Sequence, residues 1–168
     1  MNRLSMKSAQ AGVSMVEVLI AVLVLAVGAL GFAGVQVVAM QKSEDANYRS
    51  AAMLIAQDAV ERIQANAAEI ADYRNGTAIV TPSSAPAQTC GNGCDVVDLD
   101  LAQLAWAANQ TLPNGLIKID SCDFNGLTCV VLNWGERDGA VNSIDACTSG
   151  AGVNLAEDAN CLVMEFAR

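Results

Sequence analysis

The residue types able to do chemistry in this chain are few: one acid inside a long apolar run, six cysteines and scattered carboxylates, with no histidine anywhere in 168 residues. Without histidine, imidazole-based acid–base catalysis is excluded. No G-x-S-x-G elbow, phosphate-binding loop or dinucleotide fingerprint is present either. The acid pairs Asp98/Asp100 and Glu157/Asp158 sit too close together in sequence to form an organised catalytic dyad, and an enzyme is not expected. Glu17 is different, because it lies near the start of an apolar run from residue 13 to residue 35. A lone ionised carboxylate in such a run costs on the order of 2 kcal/mol or more unless a positive charge meets it. The cysteines, Cys90, Cys94, Cys122, Cys129, Cys147 and Cys161, are even in number and have no histidine to share a zinc ion with, so disulfides are expected and no metal or cofactor is.

These groups must be positioned by the elements around them. The run after Glu17 holds roughly 18 or more apolar residues, enough to cross a bilayer as a helix. Arg3 and Lys7 precede it and a strongly acidic segment follows, which places the N-terminus on the cytoplasmic side and residues from about 36 onward in the periplasm or outside. Disulfides persist in that compartment. Net charge is −9, and −11 once residues 1–12 with their two basic groups are removed. From residue 75 onward three basic residues face eleven acidic ones, so direct nucleic-acid binding is not expected. Gly28, Gly31 and Gly34 recur every third position, a spacing that permits close helix approach in lipid. Glycine is also simply common in spanning helices.

A short leader with Arg3 and Lys7, then Gly12, then an apolar run whose fifth residue is Glu17, resembles the class III signal of type IV pilins and of type II secretion pseudopilins. The resemblance implies cleavage by a prepilin peptidase between Gly12 and Val13, N-methylation of Val13, and pairing of Glu17 with the amine of a neighbouring subunit. The family usually begins its mature chain with Phe where this one has Val13. An ordinary secretory signal or plain anchor also starts basic and turns apolar, but its small-residue cleavage site should follow the apolar segment, and Gly34-Val35-Gln36 is a poor match.

From residue 36 to about 74 the pattern becomes polar with an apolar stripe at Ala52, Ile55, Ala56, Ala59, Ile63, Ala67 and Ile70. Steps of three and four put that stripe on one helical face, and Asn75-Gly76 supplies a stop. A single helix from Val13 to Tyr73 would run roughly 90 Å. Residues 77–88 are a loop with Thr81-Pro82 and Ala85-Pro86 barring helix. Cys90-Gly-Asn-Gly-Cys94 is a compact turn whose ends are expected to pair. Residues 98–110 predict a short helix with an acidic first turn, with Leu99, Leu101, Leu104 and Trp106 as burial candidates, ended by Leu112-Pro113-Asn114-Gly115.

That helix and turn, together with Leu54-Ile55-Ala56-Gln57-Asp58-Ala59-Val60-Glu61-Arg62, resemble the PilV-like minor pilins, also described as type IV pilus modification proteins. Beyond it, residues 116–120 alternate as a half-buried strand, and Asn125-Gly126 signals a tight hairpin. A two-residue loop there would set Phe124 against Leu127 and Cys122 directly across from Cys129, within disulfide reach. Residues 161–166 predict a final strand. The stretch 141–160 reads as a polar loop outside the core, and pilins of this type close such a loop, which implies Cys147–Cys161. Asp138, Asn142, Ser143 and Asp145 offer oxygens for calcium, but they do not match an EF-hand and a solvated acidic loop is the expected reading.

The expected fold class is therefore α+β and type IV pilin-like: a long N-terminal helix, with a transmembrane half and an amphipathic half, packed on a small antiparallel β-sheet head. Its expected divisions are a leader at 1–12, a helix at 13–74 with residues 13–35 in the membrane, and a head at 75–168. The resemblance implies a minor pilin held in the inner membrane with its head in the periplasm before assembly, and in a type IV pilus at the cell surface afterwards, supporting pilus assembly, adhesion or twitching motility. Implied partners are the prepilin peptidase, the major pilin and other minor pilins through the helix, with a pilus-tip adhesin as a further candidate. The alternatives are a type II secretion pseudopilin and a membrane-anchored periplasmic sensor or binding module.

Overall fold

In the computed structural model the described residues are 12–74, 76–136, 142–156 and 159–167. They form two units, residues 1–44 and 45–168 by number, and the division falls inside the first helix. Helix α1 spans Met15–Ala65. The second unit therefore begins with the last part of α1 and not at residue 75, because Ala52, Ile55, Ala56, Ala59 and Ile63 are buried in that unit's own core. Three of those five residues are alanines, which let the helix backbone lie close against its neighbours.

The helical run expected through residue 74 is interrupted. At Asn66 the backbone leaves helical geometry (φ −113°, ψ 41°), and a 3-10 turn, Ala67–Glu69, leads into the one-turn helix α2, Ile70–Tyr73. Ala67 and Ile70 are only partly buried as a result, while Tyr73 is fully buried. The interruption is matched by a polar network. Arg62 donates from Nε to Asp58 (3.0 Å) on its own helix and from Nη1 to Asp100 and Gln103 (both 2.7 Å) on α3, Val96–Thr111. The Tyr73 hydroxyl donates to the other Asp100 oxygen at 2.6 Å. One carboxylate thus joins α1, α2 and α3. Burial pushes the Tyr73 phenol up to about 12, and the bond to Asp100 pushes the same way. Burial works to lower the Arg62 guanidinium, but Asp58 and Asp100 outweigh it and the group is held above its usual range.

Helix α3 starts two residues before the predicted limit because Asp95 caps it, its carboxylate accepting from the Val97 (2.8 Å) and Asp98 (3.4 Å) amides. Val97, Leu104, Ala105 and Ala108 are its buried residues; Leu99, Leu101 and Trp106 are half-buried. Three strands follow in an antiparallel sheet of order β1-β2-β5: β1 Leu116–Ser121, β2 Thr128–Asn133 and β5 Cys161–Phe166. A small hairpin of β3, Thr148–Ser149, and β4, Gly152–Val153, lies between β2 and β5 in the chain.

The β1–β2 register differs from the one predicted. Ser121 pairs with Thr128 and Asp120 with Cys129, two residues away from the tight hairpin. The Asn125 side chain accepts from the Leu127 amide at 3.0 Å and Gly126 takes a left-handed φ of 73°, so the loop closes one pair earlier, where Cys122 donates to the Leu127 carbonyl. A slip of two residues preserves the face on which each side chain stands. Cys122 and Cys129 are accordingly still bonded, diagonally across the ladder, at a Cα separation of 5.1 Å.

β2 is buried along its whole length because both faces of the sheet are covered. Val130 and Leu132 join Ile117 and Ile119 of β1 against the helices, while Cys129 and Val131 meet Ile144, Cys147, Ala159 and Cys161. The segment read from sequence as lying outside the core thus supplies a second small core, fastened by Cys147–Cys161. Asn142 is buried within it: its Nδ2 donates to the carbonyls of Trp134 (3.0 Å) and Glu136, and its Oδ1 accepts from Asn133 at 2.6 Å.

Two outcomes are expected from this packing. A Cβ at Gly115 would lie 2.1 Å from the Ala108 carbonyl oxygen, whereas at Gly126 it would meet nothing within 4 Å and only the positive φ opposes it. Gly115→Ala should therefore cost about 2–3 kcal/mol or more and Gly126→Ala about 1 kcal/mol, measured by denaturant unfolding of the detergent-extracted protein. For Tyr73, a folded-state value above the unfolded one means that the stabilisation is complete below pH 10 and is lost as pH rises from 10 towards 12. An ultraviolet difference titration of wild type against Tyr73→Phe should show a phenolate forming at about 12; one forming near 10 would contradict the Asp100 bond.

Candidate assembly helix and processing site

The first part of α1 is built from residues that no other part of the described chain covers. It contains an 18-residue window of mean hydropathy 2.8, none of it buried. Leu19, Leu23, Leu25, Leu30 and Phe32 all expose well over half of their surface. At about 25 cal/mol per Å² of apolar surface, such a helix is stable only where lipid or other apolar helices take the place of water. After Glu17 the next ionisable residue is Lys42.

Glu17 stands in the first turn of α1. Backbone N–H groups there lack helical acceptors, and the helix dipole favours negative charge. Val13, Glu17, Val18, Ala21, Val22 and Leu25 line one shallow face, so the carboxylate and residue 13 share a side of the helix start. Gly12 and Val13 are exposed and precede the helical hydrogen bonding, which leaves the peptide bond between them outside the helix. Arg3 and Lys7 lie outside the described residues.

Further along, Leu30, Gly31, Gly34, Val35, Val38, Ala39 and Lys42 line a second shallow groove. A Cβ at Gly28, Gly31 or Gly34 would meet nothing within 4 Å. Nothing within the described chain requires these positions to be small, and small residues at this spacing permit close approach of an apposed helix in lipid.

The head brings together no catalytic constellation among the described residues. The three pairs Cys90–Cys94, Cys122–Cys129 and Cys147–Cys161 are disulfide-bonded, with Cα separations of 5.4, 5.1 and 5.6 Å. No group of His, Cys, Asp or Glu that could hold a metal occurs among the described residues. Of the calcium candidates, Asn142 spends its oxygen on Asn133, the Ser143 hydroxyl accepts from the Ala146 amide at 3.1 Å, and Asp145 lies 3.5 Å from Lys118. Asp138 is outside the described residues, as are Glu157 and Asp158.

Sequence reading missed the Arg62–Asp100–Gln103–Tyr73 network. The Asp58/Arg62 spacing of four was the available signal, but it marks a local helix pair and says nothing of α3. It also missed Arg49, whose guanidinium stacks 5.7 Å from the centre of the Trp134 ring and ties α1 to the end of β2.

Comparison with known families finds two adjoining matches. Residues 7–33 match the prokaryotic N-terminal methylation motif, and residues 34–105 match the family described as type IV pilin Tt1218. Neither curated proteins nor solved structures return a match. A methylation motif on a pilin implies processing by prepilin peptidase and assembly with other pilins, and the long apolar helix fits membrane anchoring before that assembly. The role of such a chain is structural and not enzymatic. An uncovered apolar stretch at the start of α1, a disulfide-fastened α+β head and two family matches that together run from residue 7 to residue 105 all support membership of the type IV pilin family.

Proposed function

We propose that the protein is a minor pilin of a type IV pilus, cut between Gly12 and Val13, methylated at Val13 and incorporated through α1 into a pilus-initiating or tip complex. The observation carrying this reading is the uncovered apolar stretch of α1, whose one charge, Glu17, shares a face with residue 13. Removal of the leader creates an ammonium at Val13. That charge on a neighbouring subunit neutralises Glu17 in a place where neither ion would be stable alone. Before assembly the helix holds the protein in the inner membrane with its head in the periplasm, and afterwards it is buried among the helices of the major pilin and other minor pilins. The likeness of residues 54–62 to PilV-like proteins favours the minor-pilin role, and a pilus-tip adhesin is a candidate neighbour of the head.

The reading sets four expected outcomes. Replacing Gly12 with a bulkier residue should leave the full-length precursor in the membrane, read by mass spectrometry; a normal mature chain starting at Val13 would reject the cleavage site. Glu17→Ala should be cut normally yet be recovered in sheared pili at a tenth or less of the wild-type amount, about the effect of losing 1.4 kcal/mol of pairing. Gly31→Leu should leave head unfolding unchanged, because its Cβ meets nothing, while lowering recovery in pili. Deletion of the gene should abolish piliation; loss of protein secretion with normal pili would assign the chain to a type II secretion system instead.

A further inference from the structure

The three disulfides differ in what they touch. Cys122 and Cys129 are buried, as are Cys147 and Cys161, and both pairs belong to the core that covers the outer face of the sheet. Cys90 and Cys94 are both exposed. Between them Gly91, Asn92 and Gly93 are exposed too, and a Cβ built at either glycine would meet nothing within 4 Å. The Cys94 amide donates to the Gly91 carbonyl at 3.2 Å, so the loop closes on itself and not on the core. A bridge spanning four residues also restricts the unfolded chain less than the two longer ones do.

We infer that Cys90–Cys94 is a thiol–disulfide exchange site, open to a dithiol partner with a positively charged rim, while the other two bridges are structural. A thiolate of the partner attacks one sulfur of the bridge and forms a mixed disulfide. The other cysteine leaves as a thiolate and takes up a proton. The partner's second thiol then attacks the mixed disulfide, releasing the second cysteine, so the partner is oxidised by two electrons and the bridge is reduced to two thiols. Such an attack requires an accessible bridge, and of the three pairs only this one joins two exposed residues. The rim follows from charge: Cys94 lines a shallow depression with Glu69, Asp72 and Asp95, and their carboxylates disfavour approach of an anionic thiol. Opening the bridge frees residues 90–94 while Asp95 continues to cap α3 and Gln103 continues to donate to the Ala87 carbonyl.

The full chain in detergent, treated with increasing dithiothreitol without denaturant, alkylated and mapped by mass spectrometry, tests the site. Cys90 and Cys94 should be alkylated at reductant levels that leave the other four cysteines bonded; simultaneous opening of all three bridges, or opening of this one last, would overturn the inference. Initial rates with cysteamine should exceed those with 3-mercaptopropionate by about threefold or more once corrected for thiolate fraction, with the gap closing in high salt. Equal corrected rates would remove the basic rim. The double variant Cys90→Ser/Cys94→Ser should fold with its remaining two bridges intact, and failure to form them would show the exposed bridge to be structural after all.

Discussion

An apolar stretch of helix that the rest of the described chain leaves bare is the constraint on which the molecule depends. The window that raises the mean hydropathy of α1 is unburied throughout, yet the same helix continues into a stretch where Ala52, Ile55, Ala56, Ala59 and Ile63 disappear into a conventional core. One secondary-structure element thus answers to two environments. Backbone hydrogen bonding is satisfied internally in both, as a spanning segment requires. What changes along it is the partner of the side chains: other molecules in the first part, α3 and the sheet in the second.

The second part must hold the helix firmly enough for the first to be useful. Small side chains permit close approach, and charged ones fix direction. Asp100 receives Arg62 from α1 with one oxygen and Tyr73 from α2 with the other, so the break after Asn66 is pinned to α3 from two sides. Half-buried charge pairs of this kind contribute little net energy, because desolvation offsets most of the attraction, but they penalise any other arrangement of the same helices. Arg49 on Trp134 extends the fixing toward the sheet.

Much of this was legible in the chain itself, and for identifiable reasons. The apolar run, Glu17 and the stripe from Ala52 to Ile63 are local patterns with a helical period, and the helix and the buried face follow from them. β1 alternates as a strand with one wet face should. What sequence did not reveal depends on partners distant along the chain. Asn125-Gly126 correctly marked a hairpin, but the loop length was settled by the Asn125 side chain accepting from Leu127, a choice that dipeptide statistics do not distinguish. The stretch 141–160 looked too polar to be core, yet Asn142 within it is buried beside Ile144, Cys147 and Ala159, its amide satisfied by backbone carbonyls and another asparagine. Polarity predicts exposure only while a group lacks partners inside. The break at Asn66 has no glycine or proline to announce it.

The order of the strands has a consequence for how the molecule is made. β2 lies at the centre of the sheet, and its second neighbour, β5, is the last strand in the chain, paired with it at every position from Thr128–Phe166 to Asn133–Cys161. During synthesis, the greasy N-terminal segment emerges and seeks the bilayer long before the sheet can be sealed. Until β5 arrives, β2 presents an open ladder, and Cys147 waits for a bonding partner only fourteen residues behind it. A nascent chain is thus tethered first and finished last, and the tether confines its vulnerable half-built sheet to a membrane surface where local crowding with sister chains, more than bulk concentration, sets the danger of mispairing.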